Sequence, residues 1–306
     1  MLRTIQTALL GPAQARAQHL QKTRNHTGIA SGLATLETIC PAPQDDPVAP
    51  IFLLSAGWRS GSTLLQRLIM SDRRVLIWGE PYDECGPIQA MADTLKAFRP
   101  GWPPAEYYYD GTPPDQLSGK WVANLFPAPA ALWQAHRQFH EALFDAPATQ
   151  SGAVRWGIKE VRLGIEHARY LRWLYPNARF VLLYRNPLDA YRSYCRYGRS
   201  WYNIFPNQPV FTPTAFGAHW RRMIEGYLEG AESLGAMLVR YEDLIGPKPP
   251  LAALDDYLGI RMNHAVLGAK VGSSERGGEK LQVNRLERWL LKRAAGPAAA
   301  QLGYDW

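Results

Sequence analysis

The chain has 306 residues, 46% apolar and 20% charged, a balance that suits a soluble globular protein of one or two domains. Its formal charge is +7, from 34 Lys plus Arg against 27 acids, which fits an enzyme with polyanionic ligands. The basic residues are dispersed with no run of five, so a nucleic-acid-binding tail is excluded, as are helix-turn-helix and zinc-finger patterns. Cys40, Cys85 and Cys195 are too few and too far apart for a disulfide framework or a metal cluster, and they point to a reducing cytoplasm. No apolar stretch reaches the roughly 18 residues that cross a bilayer.

In chain order, residues 1–45 read as an N-terminal helical extension. Arg3, Arg16, Lys22 and Arg24 stand there without an acid among the first 25 residues, which reads as a surface helix more readily than as a transit peptide. The sequon at Asn25 is then incidental. The Pro-rich stretch after Cys40 ends this region. Residues 46–306 alternate short apolar runs with helix-like stretches, the pattern of an α/β fold with a parallel sheet flanked by helices on both faces. Strands are expected at 51–54, 75–78, 156–161, 178–184 and 236–241. Helices are expected at 62–70, 130–144, 164–175, 188–197, 214–234 and 282–294. Two segments near 98–119 and 198–213 mix aromatics with Pro and Gly and read as insertions over the sheet edge.

The first strand runs into SAGWRSGST, residues 55–63. This is nearly a phosphate-binding P-loop. Ala56 stands where the first Gly usually is, and Ser62 replaces the lysine before the final hydroxyl residue. Gly57 and Gly61 allow a tight curl. A helix that starts there directs backbone N–H groups and a positive dipole end at one spot. Ser60, Ser62 and Thr63 add hydroxyl donors, and Arg59 adds a permanent planar charge. The chemistry asks for a phosphate-like oxyanion.

A second segment, ARFVLLYRNPLDAYRSY, runs from a strand through Arg185 into a helix opened by Pro187. Nucleoside-triphosphate enzymes usually end this strand in an Asp that helps hold Mg²⁺. A guanidinium there suggests a second anion instead of a metal, with Ser193 returning its hydroxyl to the same anion. Two anionic ends on one nucleotide and no metal ligand describe 3′-phosphoadenosine 5′-phosphosulfate.

On these residues the chain resembles the family of sulfotransferases that use this donor, especially the carbohydrate and bacterial small-molecule branch with Arg-Ser-Gly-Ser-Thr in the loop. Trp78-Gly79-Glu80-Pro81, the strand ending in Lys159-Glu160, and Tyr241-Glu242-Asp243-Leu244 are similar to further segments of that family. The resemblance covers about 51–281. It implies that the loop from Trp58 to Thr63 holds the 5′-phosphosulfate, that Arg185 and Ser193 hold the 3′-phosphate, and that Tyr241, Arg276 and Gly277 lie against the nucleotide, which leaves as adenosine 3′,5′-bisphosphate.

For the reaction itself, Arg59 is expected to meet the charge that develops on the leaving phosphate, Glu80 to act as general base, and Lys159 to neutralise sulfuryl oxygens. The competing role for Glu80 is an ion pair with Arg59 or Lys159. Tyr82, Tyr108, Trp201 and Tyr202 are candidate acceptor contacts, with Asp83, Glu84 and Asp110 able to select a positive group. His136 and His140 share a helix face, yet two ligands without a third make no metal site. A P-loop small-molecule kinase and a non-catalytic nucleotide-binding protein are the alternative readings. The acceptor, a small molecule or carbohydrate, and a homodimer through the N-terminal helix are left open.

Overall fold

The computed structural model describes residues 28–43, 46–82, 86–119, 122–195, 203–204, 208–268 and 283–306. The described helices are α1 (Ile29–Ile39), α2 (Ser62–Ile69), α3 (Gly86–Asp93), α4 (Pro129–His140), α5 (Ala146–Gln150), α6 (Ile165–Leu174), α7 (Pro187–Cys195), α8 (Pro213–Gly230), α9 (Tyr241–Leu244), α10 (Leu251–Leu258) and α11 (Arg285–Gln301). The chain divides into two compact units.

The larger unit comprises residues 42–90 and 135–306 and carries a five-stranded sheet. Its strands are β1 (Ile51–Ser55), β2 (Val75–Trp78), β3 (Arg155–Glu160), β4 (Arg179–Tyr184) and β5 (Met237–Arg240), in the order β2-β3-β1-β4-β5, and every pairing is parallel. Each expected strand is present within two residues of its expected ends. Parallel strands are covered on both faces and so read as continuous apolar runs. β1 shows why: Ile51, Phe52, Leu53 and Leu54 are all fully buried, although alternate residues face opposite ways. Ile51 and Leu53 share a core with Leu65 and Leu68 of α2 and with Leu254 and Leu258 of α10. Phe52 faces the other side, with ring centres of Phe180, Trp156 and Tyr175 at 5.2, 5.9 and 6.0 Å.

Because β1 is central, the chain leaves it towards β2 on one side and reaches β4 and β5 on the other. Loops after neighbouring strands therefore diverge, and a crevice opens at the carboxyl ends of β1, β3 and β4.

Several helices depart from the sequence expectation: α3 and α9 were not among the expected ones, and the helix expected over 214–234 ends at Gly230. The stretch expected as one helix over 130–144 turns into a π-turn at Glu141–Asp145 and continues as α5. The last helix starts at Arg285 under a capping box between Asn284 and Glu287 and passes through Pro297 to Gln301. Gly296 and Pro297 favour a stop, yet Leu291, Ala295, Ala298 and Ala299 are fully buried on one face, and this packing outweighs the local preference. α10 was not anticipated, although Leu251, Leu254 and Leu258 after two prolines carry its apolar stripe.

The smaller unit comprises residues up to 41 together with 91–134. Within it α1 lies so close to the turn Thr94–Ala97 that a Cβ on Gly32 would collide with the Leu95 carbonyl. The aromatics expected as an insertion pack on one another: Trp102 against Tyr107 at 5.5 Å and Tyr107 against Phe126 at 5.9 Å, both edge to face.

β3 approaches β1 and β2 closely at Gly157, where a Cβ would meet the Ile51 carbonyl and the Ile77 side chain. Gly157→Ala is expected to destabilise the protein by about 1–3 kcal/mol through overpacking. Urea unfolding of the purified variant measures this, and an unchanged midpoint would refute the steric account.

Candidate functional site

The turn from β1 into α2 is built from backbone that side chains normally avoid. Gly57 has φ 83°, Arg59 φ 62° and Gly61 φ 92°. Alternating left- and right-handed residues gather N–H groups into a concave nest. Gly61 caps α2 and has no side chain to satisfy the first amides of the helix; its carbonyl accepts from the Leu64 amide at 3.0 Å, and the amides of Ser62 and Thr63 at the helix start have no side-chain cap. A Cβ at Gly61 would also lie within the Tyr241 ring. Glycine is thus required there both for conformation and for space.

Arg59 is the non-glycine in this turn with a left-handed backbone, at roughly 1–2 kcal/mol of strain. Its carbonyl accepts a hydrogen bond from Arg185 Nη1 at 3.0 Å, and its own Nε donates to Ser193 Oγ at 3.0 Å. The Arg185 guanidinium lies 4.4 Å over the Tyr241 ring, a cation–π contact. The loop, the end of β4, α7 and the start of α9 therefore meet around one cleft of about 250 Å³. Its lining includes Trp58, Arg59, Gly61, Ser62, Thr63, Glu80, Lys159, Arg185, Ser193 and Tyr241. Residues 134 positions apart, Arg59 and Ser193, are joined by one hydrogen bond.

Other sequence-derived candidates stand elsewhere. Ser60 is buried and outside that lining; its hydroxyl bonds to Ser55 and donates to the Gly57 carbonyl at 3.1 Å. It braces the loop from inside. Tyr82, two residues beyond Glu80, is exposed with φ 56°. Tyr108 belongs to the smaller unit. Trp201, Tyr202, Arg276 and Gly277, like Asp83 and Glu84, lie outside the described residues. His136 and His140 are buried among aromatic rings, with His136 Nδ1 bonded to the Tyr170 hydroxyl at 3.0 Å and His140 Nδ1 to the His136 carbonyl at 2.8 Å; burial pushes both down to about 4. They are core residues.

Sequence reasoning missed Arg162. It sits two residues past β3 and donates to Glu80 Oε2 at 2.8 Å and to Glu160 Oε1 at 3.2 Å. Lys159 ion-pairs with the other oxygen of Glu80. Glu80 therefore pairs with Lys159, as one of its two weighed roles supposed, and with Arg162 in addition. Arg59 is not its partner among the described residues. The basic residue in Lys-Glu-Val-Arg, just after an apolar strand, was the available signal. His219 was missed as well: it is buried in α8, with its ring 4.9 Å from that of Trp58, and it supports the loop from below. Nothing in the local sequence marks it.

Burial of Glu80 opposes its charged form, but Lys159 and Arg162 together outweigh that and hold the carboxyl below the usual carboxylate range. A lowered folded-state value means stability that is present above the unfolded value and lost as pH falls through the folded one. Glu80→Gln removes the partner of two buried cations, with an expected loss of roughly 1–3 kcal/mol near neutral pH. The gap between wild type and variant in denaturant unfolding should close as the pH drops below the carboxylate range. A gap that persists in acid would mean that the ion pairs are not its source.

The profile described as "Sulfotransferase family" matches residues 50–264, which takes in every described residue of the cleft. No curated protein matches the chain. Among solved structures it is similar to the sulfotransferase domain of a Synechococcus olefin synthase, at 18% identity over 86% of this chain and 98% of that one, with a TM-score of 0.46. It is also similar to a sulfotransferase from Mycobacterium avium, at 15% identity over 85% of this chain and 78% of that one, with a TM-score of 0.45. A sulfotransferase from Alicyclobacillus acidocaldarius gives 14% identity over 85% and 98%, with a TM-score of 0.43. With the family profile spanning more than half of its length and the loop, Arg185 and Ser193 gathered in one cleft, the chain belongs to the sulfotransferase family.

Proposed function

We propose that the protein transfers the sulfuryl group of 3′-phosphoadenosine 5′-phosphosulfate to a hydroxyl or amine of a small-molecule or carbohydrate acceptor. The observation that carries this reading is the junction of Arg59, Arg185 and Ser193. Two permanent cations and a hydroxyl converge beside an uncapped helix start, which suits a ligand with two separate anionic groups. In this reading the loop amides, Ser62 and Thr63 hold the 5′-phosphosulfate, while Arg185 and Ser193 take the 3′-phosphate. Arg59 ties the two positions together and meets the charge that grows on the leaving phosphate oxygen. Tyr241 packs beneath Arg185 and limits its rotation. Arg276 and Gly277 remain candidates for covering the nucleotide.

Glu80 is proposed as the proton acceptor. Lys159 and Arg162 keep it ionised at neutral pH, at some loss of basicity, so the proton moves to it late, when sulfuryl transfer has made the attacking oxygen acidic. Lys159, on the same carboxylate, stands ready to neutralise sulfuryl oxygens. Tyr82, Trp201 and Tyr202 are proposed to contact the acceptor. No helix among the described residues is long and apolar enough to cross a membrane; we place the reaction in the cytoplasm, with no metal among its requirements.

The test is calorimetric binding of adenosine 3′,5′-bisphosphate, together with transfer of labelled sulfate from the donor to a metabolite extract. Arg185→Ala should weaken bisphosphate binding at least tenfold, about 1.4 kcal/mol; a change within twofold would remove the 3′-phosphate assignment. Glu80→Gln should keep bisphosphate affinity within threefold and lose turnover by about 10²-fold or more. Full turnover in that variant would exclude Glu80 as the base. Phosphate transfer from ATP to the same extract, abolished by a chelator and restored by Mg²⁺, would favour a kinase, and bisphosphate binding without transfer to any acceptor would favour a non-catalytic protein.

A further inference from the structure

At the opposite end of the sheet, the amino ends of the strands surround a second cleft of about 500 Å³. It lies at least the length of β1, about 17 Å, from the P-loop-like turn, and the family reading assigns it nothing. Arg155 begins β3, Arg179 begins β4, and Arg172 lies in the last turn of α6. All three line this cleft, with Tyr257 of α10 beside them.

The three guanidiniums are poorly compensated. Arg155 donates to the carbonyls of Ala49 and Leu258, and Arg172 to those of Pro176 and Leu234. These acceptors are neutral, and the carbonyl ends of α6 and α10 offset only about half a charge each. Arg179 stands 5.5 Å from the centre of the Tyr257 ring. Among the described residues no carboxylate forms an ion pair with any of the three. Asp256 is the acid in the lining, and it is exposed and bonded to none of them. Burial pushes Arg155 down to about 10, with the charge of Arg179 adding to the effect. Burial likewise lowers Arg172, and Arg179 lowers it further.

We propose that this cleft is a second anion site, taking a phosphate or sulfate group either as the free ion or as the end group of a small organic molecule. Guanidinium forks match a tetrahedral oxyanion, and Arg155 and Arg172 are fixed in place by their backbone bonds before any ligand arrives. The cleft is larger than one phosphate requires, so it has room for the body of a small ester beside Tyr257. An anion there joins the starts of β1, β3 and β4 to α10, and so stabilises the scaffold that holds the distant turn.

The experiment titrates the full-length protein with inorganic phosphate, and in parallel with glycerol 3-phosphate, reading Kd by calorimetry and the rise in Tm. Arg179→Gln, in which only the most exposed of the three heads is changed, should weaken phosphate binding at this site at least tenfold. Arg185→Ala should leave it within twofold, which separates it from anion binding at the loop. Arg179→Glu supplies a carboxylate in place of the ligand; its Tm without phosphate should exceed that of wild type, and the part of the phosphate-dependent gain that survives Arg185→Ala should vanish. Tighter binding of glycerol 3-phosphate would identify an organic phosphate as the occupant, and equal binding the free ion. Identical phosphate binding in Arg179→Gln and wild type, or complete loss of binding in Arg185→Ala, would overturn the proposal.

Discussion

The candidate site depends on one hydrogen bond, from the Arg185 guanidinium to the carbonyl of Arg59. Arg59 holds a left-handed backbone that a side-chain-bearing residue resists by roughly 1–2 kcal/mol, and a strained turn persists only where its surroundings over-determine it. Arg185 supplies that constraint from the end of β4, and Ser193 supplies a second one through Arg59 Nε. The result is that both arginines line the same cleft.

The carboxylate network around Glu80 works by the opposite logic. Lys159 and Arg162 are almost fully buried, and buried cations are tolerable only when paired and hydrogen-bonded. Glu80 satisfies one nitrogen from each, and Glu160, with no exposure, accepts the Val161 and Arg162 amides at 2.6 and 3.0 Å. This network fixes the carboxyl ends of β2 and β3 relative to each other. It also favours the charged form of Glu80.

Both ends of the sheet gather cationic side chains for the same topological reason. A parallel sheet with helices on both faces brings all strand starts to one edge and all strand ends to the other. Arginines at the starts of β3 and β4 therefore converge, as do Arg185 and Lys159 at the ends of those same strands. At the carboxyl edge a strained loop and an uncapped helix add directed donors. At the amino edge neutral carbonyls hold two of the three guanidiniums.

Periodicity made the five strands and most of the helices legible, because burial on both faces leaves an apolar run that no tertiary detail can hide. Arg59, Gly61, Ser62, Thr63 and Arg185 could be singled out from the sequence as candidates for one site, and the structure places them in one cleft. Arg162 and His219 were not legible. Their roles come from β3 and α8 converging on Glu80 and on Trp58, contacts made across 82 positions in the first case. The passage of α11 through Pro297 was equally hidden, because the packing that holds it there is nonlocal. The sequence by itself determined which strands form and that a glycine-bearing turn leads from β1 into α2, because backbone conformation is a local property. Only the tertiary structure decided that Arg59 reaches Ser193, that Glu80 is shared by two cations, and that Ser60 braces the loop from within, because distances between segments far apart in sequence arise only when the sheet is assembled.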